Sequence, residues 1–563
     1  MRSRSTTLTI PTVPYVPTFP NVIRACVGQF GRREFIAEGG NRYTYRDIDT
    51  ASAELGLGLI ASGVGKATRV GLLMADGADW VTAWWAAARA GALTVAMSTF
   101  FQGRELSWLL AKADIDTLLV QRRVLNTDYA ALLEKALPGL SGQAADRLRL
   151  RSHPYLRRIV VWGDCDRSWA TPGGPAGLGQ LARDARLERG FLDCVEEQIA
   201  PSDLLIGICT SGSTAEPKIV MHTHGSVIRA THGLRPHFRV ELDDRNYTGM
   251  PLFWVGGLNV NLLQVMYGGA CIVFARSPRP DDVVDALVGE RVTRLRLWPP
   301  QQAAIVEAAR ARGIDLGFVK NGLVEPSDEN GKPVPPPLRS RGTMGMTETF
   351  GPHGVWAANR PLPPEHSGSA GQTLPGIERK IVDPDTGEVL PYSEVGELHV
   401  RGYPLMDGYY KRERSEVFAQ DGFFPTGDLC ALDDAGFVYF KSRRGEMVKT
   451  SGANVAPGEV EAALLAVGQF REAVVFGIPD ARKGEKVVCV LVAADASSVD
   501  VEVLRQRMKS EISGYKVPAE FFFLPFESIP RSATGKPIKP KLKEMLASGE
   551  LARMQASQSE NRA

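Results

Sequence analysis

Ten consecutive residues, Cys209 to Lys218, carry four hydroxyls (Thr210, Ser211, Ser213, Thr214), one glycine (Gly212) and a lysine (Lys218). Backbone N–H groups and hydroxyls in such a loop can converge on one anion, and Lys218 can neutralise its charge. The chemistry this suits is phosphate binding. The GxxxxGK[ST] spacing of a Walker loop is absent, and by composition alone the segment is equally a Ser/Thr-rich surface turn. Two histidines, His222 and His224, follow closely. No companion ligands stand near them in the sequence, so a structural role is favoured over a metal site. Seven cysteines are scattered without a CxxC pair. That pattern argues against a zinc ribbon or disulfide framework and for a reducing cytoplasm.

These residues need elements to hold them. An apolar run at 204–210 reads as a buried strand feeding directly into the loop. Upstream, the apolar spacing predicts helices over 45–62, 79–90 and 104–113, with strands over 69–74, 93–97 and 117–120. The alternation implies α/β layers with parallel pairing. Residues 121–200 are less regular and are expected to form an extended surface region. Further strands are expected at 271–275 and 294–298. After Gly376, short strands at 379–382 and 397–401, with turns at 383–387 and 433–436, indicate a small β subdomain. The charged stretch 441–446 reads as a linker. Beyond it, a helix at 458–467, strands at 473–477 and 487–492, a helix at 501–512 and a strand at 521–524 form a small α+β domain.

The expected fold is therefore α/β. A large N-terminal domain covers 20–440, a linker 441–446, a small C-terminal domain 447–547 and a frayed polar tail 548–563. The 563 residues leave room for a cleft between domains, at roughly 100–200 residues per domain. Lys+Arg is 66 and Asp+Glu 64, a formal charge of +2, which gives no electrostatic reason to expect nucleic acid. A hydrophobic content of 44% and a charged content of 23% argue against wholesale disorder. Residues 80–97 come nearest to a membrane span, but Arg89 and Gly91 split them, so none is expected. Residues 1–20 make a poor signal peptide.

The loop resembles the signature of adenylate-forming enzymes, T-S-G-[ST]-T-G-x-P-K-G: the acyl-CoA synthetases, peptide-synthetase adenylation domains and luciferases. Ala215 and Ile219 stand where glycines are usual. Other blocks similar to the family's follow in order. They are Gly345-Met346-Thr347-Glu348, the run 396–402 with Gly408-Tyr409-Tyr410, and Thr426-Gly427-Asp428-Leu429. Ser442-Arg443 with Lys449, Gly452 and 457–461 come next, and then 530–536 ending in Lys536.

The resemblance implies a role for each. Thr210, Ser211, Gly212, Ser213, Thr214 and Lys218 would hold the ATP β- and γ-phosphates. Thr347 would contact the α-phosphate, and Glu348 would ligate Mg²⁺. Asp428 would accept the ribose hydroxyls, assisted by Arg443. Lys536 would reach the α-phosphate and carboxylate oxygens during adenylation. Lys449, Ser451 and Gly452 would serve coenzyme A in thioester formation. Family members are thought to switch steps by rotating a mobile C-terminal domain about one residue, here Gly445. Taken singly, each residue has a plainer reading. Glu348 could be a solvated loop acid, Asp428 a turn residue, and Lys536 one of a basic group with Lys539, Lys541 and Lys543. Their ordered co-occurrence favours the family roles.

Residues 251–257 resemble a segment lining the acid pocket, with Trp254 in place of a histidine. Trp254, Val255, Trp298, Leu323, Val324 and Met346 are the candidate walls, and core packing is an equally good reading of each. Residues 251–261 hold no acid to pair an ammonium, and an unpaired buried ammonium is costly. The expected substrate is a hydrophobic small-molecule carboxylic acid, activated as acyl-AMP and transferred to coenzyme A, and a homodimer stays open. The alternatives are an acyl-AMP ligase serving a carrier protein, a luciferase-like oxygenase, and a catalytically silent homologue. Ala215, Ile219, Met344 and Ser442 motivate the last.

Overall fold

The computed structural model describes residues 10–210, 218–297, 299–320, 343–356, 362–444, 446, 448–450, 453–455, 457–467, 470–480, 484–493, 499–512, 514–532 and 535–560. The chain divides into two compact units: Met1–Glu378 with Arg401–Phe424, and Arg379–Val400 with Pro425–Ala563.

Among the described residues, the first unit is built on two large sheets and also holds a three-stranded sheet and a two-stranded one. In the larger, Leu204–Thr210, Leu93–Ala96, Arg69–Leu73, Thr117–Gln121 and Arg158–Trp162 run parallel in that spatial order. Lys218–Thr223 adds antiparallel to Leu204–Thr210, and Gly408–Tyr409 adds antiparallel to that. The second sheet orders Arg294–Arg296, Arg245–Thr248, Cys271–Phe274, Glu34–Glu38 and Asn41–Thr44. One core joins faces of both sheets, with Val70, Leu72 and Ile206 from the first and Phe35, Ile36 and Ile272 from the second. Helix Ala78–Arg89 contributes Trp80, Trp84 and Trp85 to it, all fully buried. A helix apolar on nearly every side must be enclosed, and this one is. Its single cation, Arg89, is ion-paired to Glu196 at 2.5 Å and to Asp49 at 2.8 Å.

The predicted alternation holds within a residue or two up to Gln121. The irregular region is a correction. It contains helices Tyr129–Ala136, Gly174–Asp184 and Arg189–Glu197 and the edge strand Arg158–Trp162. In 147–151, Leu148 and Leu150 are buried while Arg147, Arg149 and Arg151 face solvent. The surface arginines hid a segment that anchors a core.

The second unit holds most of a four-stranded sheet, Ile377–Val382, Gly396–Gly402, Phe424–Leu432 and Val438–Arg443. It also holds a sheet built on the hairpin Phe470–Asp480 and Gly484–Ala493. Glu520–Phe523 pairs parallel to Gly484–Ala493, and Val448–Thr450 pairs antiparallel to it. Two expectations change here. Residues 441–443 of the expected linker complete the strand Val438–Arg443. The tail carries helix Glu550–Glu560, whose Leu551 is fully buried among Val488, Leu524 and Leu542. A polar composition concealed this one anchoring leucine.

Candidate active site

Strand Leu204–Thr210 ends where the predicted phosphate loop begins, and the register pairs Thr210 with Lys218. Ser211, Gly212, Ser213 and Thr214 lie outside the described residues. Lys218 has no carboxylate partner among the described residues, and its Nζ sits 4.8 Å from the centroid of the Tyr409 ring. Tyr409 is brought there because Gly408–Tyr409 pairs with Lys218–Thr223, Val220 opposite Tyr409.

The Tyr409 hydroxyl donates to Oε1 of Glu348 at 2.7 Å. Glu348 is buried, and its carbonyl accepts from the Met406 N–H at 2.8 Å. It occupies the short turn Thr347–Thr349 between strands Met344–Met346 and Gly351–Val355. The turn demands glycine on both sides. A Cβ on Gly345 would lie 2.5 Å from the Gly351 carbonyl oxygen, and Gly351 has φ of +112°. The Thr349 hydroxyl closes the turn by donating to the Gly351 carbonyl at 2.7 Å.

Thr347 is fixed through its backbone. His222 Nε2 donates to the Thr347 carbonyl at 2.8 Å, and the His222 ring meets Phe350 edge-on at 4.9 Å. Burial pushes the His222 imidazole down to about 4, so it is neutral at pH 7. The Thr347 bond requires the Nε2–H tautomer. His224 is likewise held down to about 4 by burial, and its Nδ1 accepts the Phe19 N–H at 3.0 Å. Both histidines thus hold backbone. Lys218, Tyr409, Glu348, Thr347 and His222 form one continuous set of contacts. Of these, His222 has the structural role its sequence context favours, and Tyr409 is the residue to which the motifs assign no role of its own. The signal for Tyr409 was its place in the Gly408-Tyr409-Tyr410 block.

Among the described residues no group of three or more His, Cys, Asp or Glu could hold a metal ion. The single buried carboxylate of Glu348 fits a cation that takes its other ligands from water and phosphate, the habit of Mg²⁺.

Trp254 and Val255 follow strand Arg245–Thr248, and Val255 begins a short helix. Trp254 packs against Phe253 and Phe100, with centroids 5.1 and 5.9 Å away, and Phe100 is 51% exposed. The segment is tied to the first sheet by Asp76, whose Oδ1 accepts the Leu252 N–H at 2.9 Å. Burial raises the Asp76 carboxyl to about 7. Met346 is paired with Gly351, and a Cβ on Gly351 would lie 3.4 Å from Val255 Cγ1. Val255 and Met346 therefore flank one hairpin. Trp298, Leu323 and Val324 lie outside the described residues.

Two departures from the family pattern settle into cores. Ile219 is buried beside Cys209 and Val95, and Met344 is buried in its strand. Ala215 lies outside the described residues.

In the second unit, antiparallel pairing places Asp428 opposite Arg443, with Nε to Oδ1 at 2.7 Å. Asp428 is buried and Arg443 half exposed. Thr426 shapes this turn. Its hydroxyl donates to the Leu398 carbonyl at 2.7 Å and accepts the Asp428 N–H at 3.1 Å. Ser442 is buried beside them, its hydroxyl without a hydrogen-bond partner among the described residues. Lys536 is exposed, and its carbonyl accepts the Ser532 N–H at 2.8 Å. Nearby in sequence, Lys539 bridges to Glu461 at 3.0 Å and Glu446 at 3.6 Å. Lys449 pairs with Asn454 in register. Gly445, Ser451 and Gly452 lie outside the described residues.

Comparison with known proteins accords with this geometry. The family pattern described as AMP-binding enzyme matches residues 23–410, and that described as AMP-binding enzyme C-terminal domain matches residues 459–536. The chain is 27% identical over 541 residues to 4-coumarate–CoA ligase 1 of Arabidopsis thaliana, covering 93% of this chain and 91% of that protein. It is 26% identical to a mitochondrial medium-chain acyl-CoA ligase of Mus musculus, covering 89% and 82%. ATP-bound MatB from Rhodopseudomonas palustris has the same fold, with a TM-score of 0.74 at 22% identity, covering 94% of this chain and 99% of that one. Among the described residues no helix is long and apolar enough to cross a membrane.

Proposed function

Because the chain belongs to the AMP-binding enzymes, we propose that it is an ATP-dependent acid–thiol ligase acting on a hydrophobic carboxylic acid. A carboxylate oxygen attacks the α-phosphorus of ATP, and pyrophosphate leaves. The coenzyme A thiolate then attacks the acyl carbon, AMP leaves, and the thioester forms. The observation that carries this reading is the buried Glu348 carboxylate, held by Tyr409 and joined through it to Lys218, a cation with no carboxylate partner among the described residues.

Each residue has work that its chemistry allows. Lys218, Thr210 and the hydroxyls of Ser211, Ser213 and Thr214, with Gly212, bind the β- and γ-phosphates. The Thr347 hydroxyl contacts the α-phosphate, and His222 keeps that residue from turning. Glu348 holds Mg²⁺, which when bound neutralises phosphate charge. Asp428, oriented by Arg443, accepts the ribose hydroxyls. Lys536 offsets charge developing at the α-phosphate. Lys449, Ser451 and Gly452 serve the coenzyme A step after rotation about Gly445, where a glycine absorbs large φ/ψ changes. Trp254, Phe253 and Phe100 supply an apolar surface for the acid, with Val255 and Met346 beside the turn. Relatives include ligases named for 4-coumarate and for medium-chain acids, which supports an aromatic or aliphatic acid without choosing between them. All seven cysteines are free, in keeping with a reducing cytoplasm.

The reading is tested by incubating the protein with ATP, Mg²⁺, coenzyme A and a panel of aromatic and aliphatic acids. Acid-dependent AMP and acyl-CoA are expected. AMP without thioester would favour delivery to a carrier protein. No AMP with any acid would favour a silent homologue, although Ile219 and Met344, buried in cores, give that reading little support.

A further inference from the structure

The last turn of helix His224–Phe238 gathers cations that the proposed reaction does not use. A cleft of about 380 Å³ lies there, lined by His232, Arg235, Arg239 and Gln264, with Pro236 and Val240 as an apolar side. Arg235 lies over the Tyr267 ring, 5.3 Å from its centroid, and donates to the Tyr267 carbonyl at 3.4 Å. Arg239 donates to the Pro236 carbonyl at 3.1 Å. Neither has a carboxylate partner among the described residues. Nδ1 of His232 is buried, with no hydrogen-bond partner among the described residues.

Two more guanidinium groups stand behind this cleft. Arg294 donates to the carbonyls of Phe238 and Arg239 and is paired with Asp244 at 3.3 Å. Arg296 sits 4.8 Å from the Phe238 ring centroid and has no carboxylate partner among the described residues. Of the acids that follow the helix, Asp243 is taken by Arg33, Asp244 by Arg294, and Glu241 is exposed. The helix C-terminus offers about half a negative charge. Arg235 and Arg239 therefore line the cleft with no carboxylate partner among the described residues.

We propose that this cleft binds a phosphate group carried on an organic moiety, at a site separate from the Glu348 and Lys218 cluster. Guanidinium forks match phosphate oxygens in two-point hydrogen bonds. Pro236 and Val240 receive apolar atoms of the ligand. A soluble ester and an anionic lipid headgroup both carry this phosphate chemistry, and the test separates these sources.

The full chain and the double variant Arg235→Gln/Arg239→Gln are compared in two arms. One is calorimetric titration with inorganic phosphate; the other is cosedimentation with phosphatidylglycerol vesicles against phosphatidylcholine vesicles. The wild type is expected to bind in at least one arm, and the variant to bind at least tenfold more weakly there, with acid activation unchanged. Binding of free phosphate assigns a soluble ester, and binding of anionic vesicles alone assigns a headgroup. Should the double variant not fold, Arg239→Gln, at an exposed position, must show the same loss. Equal binding by wild type and variants in both arms, including none at all, overturns the proposal.

Discussion

The two units differ in how they hold their candidate residues, apart from Asp428, which is buried like those of the first unit. In the first, Glu348 and His222 are buried, Tyr409 is buried between them and Lys218, and sheet pairing fixes their backbone on several sides. In the second, the Arg443 side chain is 46% exposed and Lys536 is exposed. Buried groups hold one geometry because moving them would strand polar atoms in a low-dielectric interior. Exposed lysines and arginines move at little cost. The division suits a reaction whose phosphate and metal must stay put while other groups serve one step each.

The contrast breaks most sharply at Lys536. Lys536→Ala should lower the rate of acyl-adenylate formation by about 10²–10³, a loss of ~3–4 kcal/mol in transition-state stabilisation. Conversion of supplied acyl-adenylate and coenzyme A to thioester should be unchanged, and the melting temperature should not move. Equal loss in both half-reactions would remove Lys536 from its single-step role.

Tyr409→Phe probes the buried side. It removes one hydrogen bond to a carboxylate, worth ~1.5–3 kcal/mol, so the thermal midpoint should fall and more Mg²⁺ should be needed for half-maximal rate. A variant with unaltered Mg²⁺ dependence would detach Tyr409 from the Glu348 site.

Protonation sharpens the comparison further. The folded-state values of His222 and His224 are lowered to about 4, below the ordinary value near 6.5. Their unfolded forms bind protons first, so stability is full above about pH 6.5 and is lost as pH falls towards 4. Denaturant titrations at pH 7.5 and 5.0 should register this loss, and His222→Gln should reduce it. Asp76 carries the opposite sign. Its value is raised to about 7, so the folded state holds the proton longer, and stability declines as pH rises from about 4 to 7. Asp76→Asn keeps an acceptor for the Leu252 N–H and should flatten that decline. An unchanged slope would show that Asp76 titrates normally.

Much of this arrangement could be read in the sequence, where local pattern and local structure agree. The apolar run ending at Thr210, the helix rich in tryptophan and the strands after Gly376 all took their expected forms. Residues 121–200 misled because anchoring leucines alternate with surface arginines, and residues 548–563 because one buried leucine, Leu551, fixes a polar helix. At the site, motif order pointed to Glu348 and Asp428. It could not reveal that Tyr409 reaches Glu348 from 61 residues away, or His222 the Thr347 carbonyl from 125. Such contacts come from strand pairing across distant segments, which a single sequence does not encode locally.

The central claim is that the Lys218, Tyr409 and Glu348 cluster binds metal and phosphate to activate a carboxylic acid. Acid-dependent exchange of labelled pyrophosphate into ATP, measured against Mg²⁺ concentration for the wild type and Glu348→Gln, tests it most directly. The account predicts exchange in the wild type with at least one hydrophobic acid. In the variant, exchange should fall by about 10²–10³, with a raised Mg²⁺ requirement. Exchange in Glu348→Gln at the wild-type rate and Mg²⁺ dependence would contradict it.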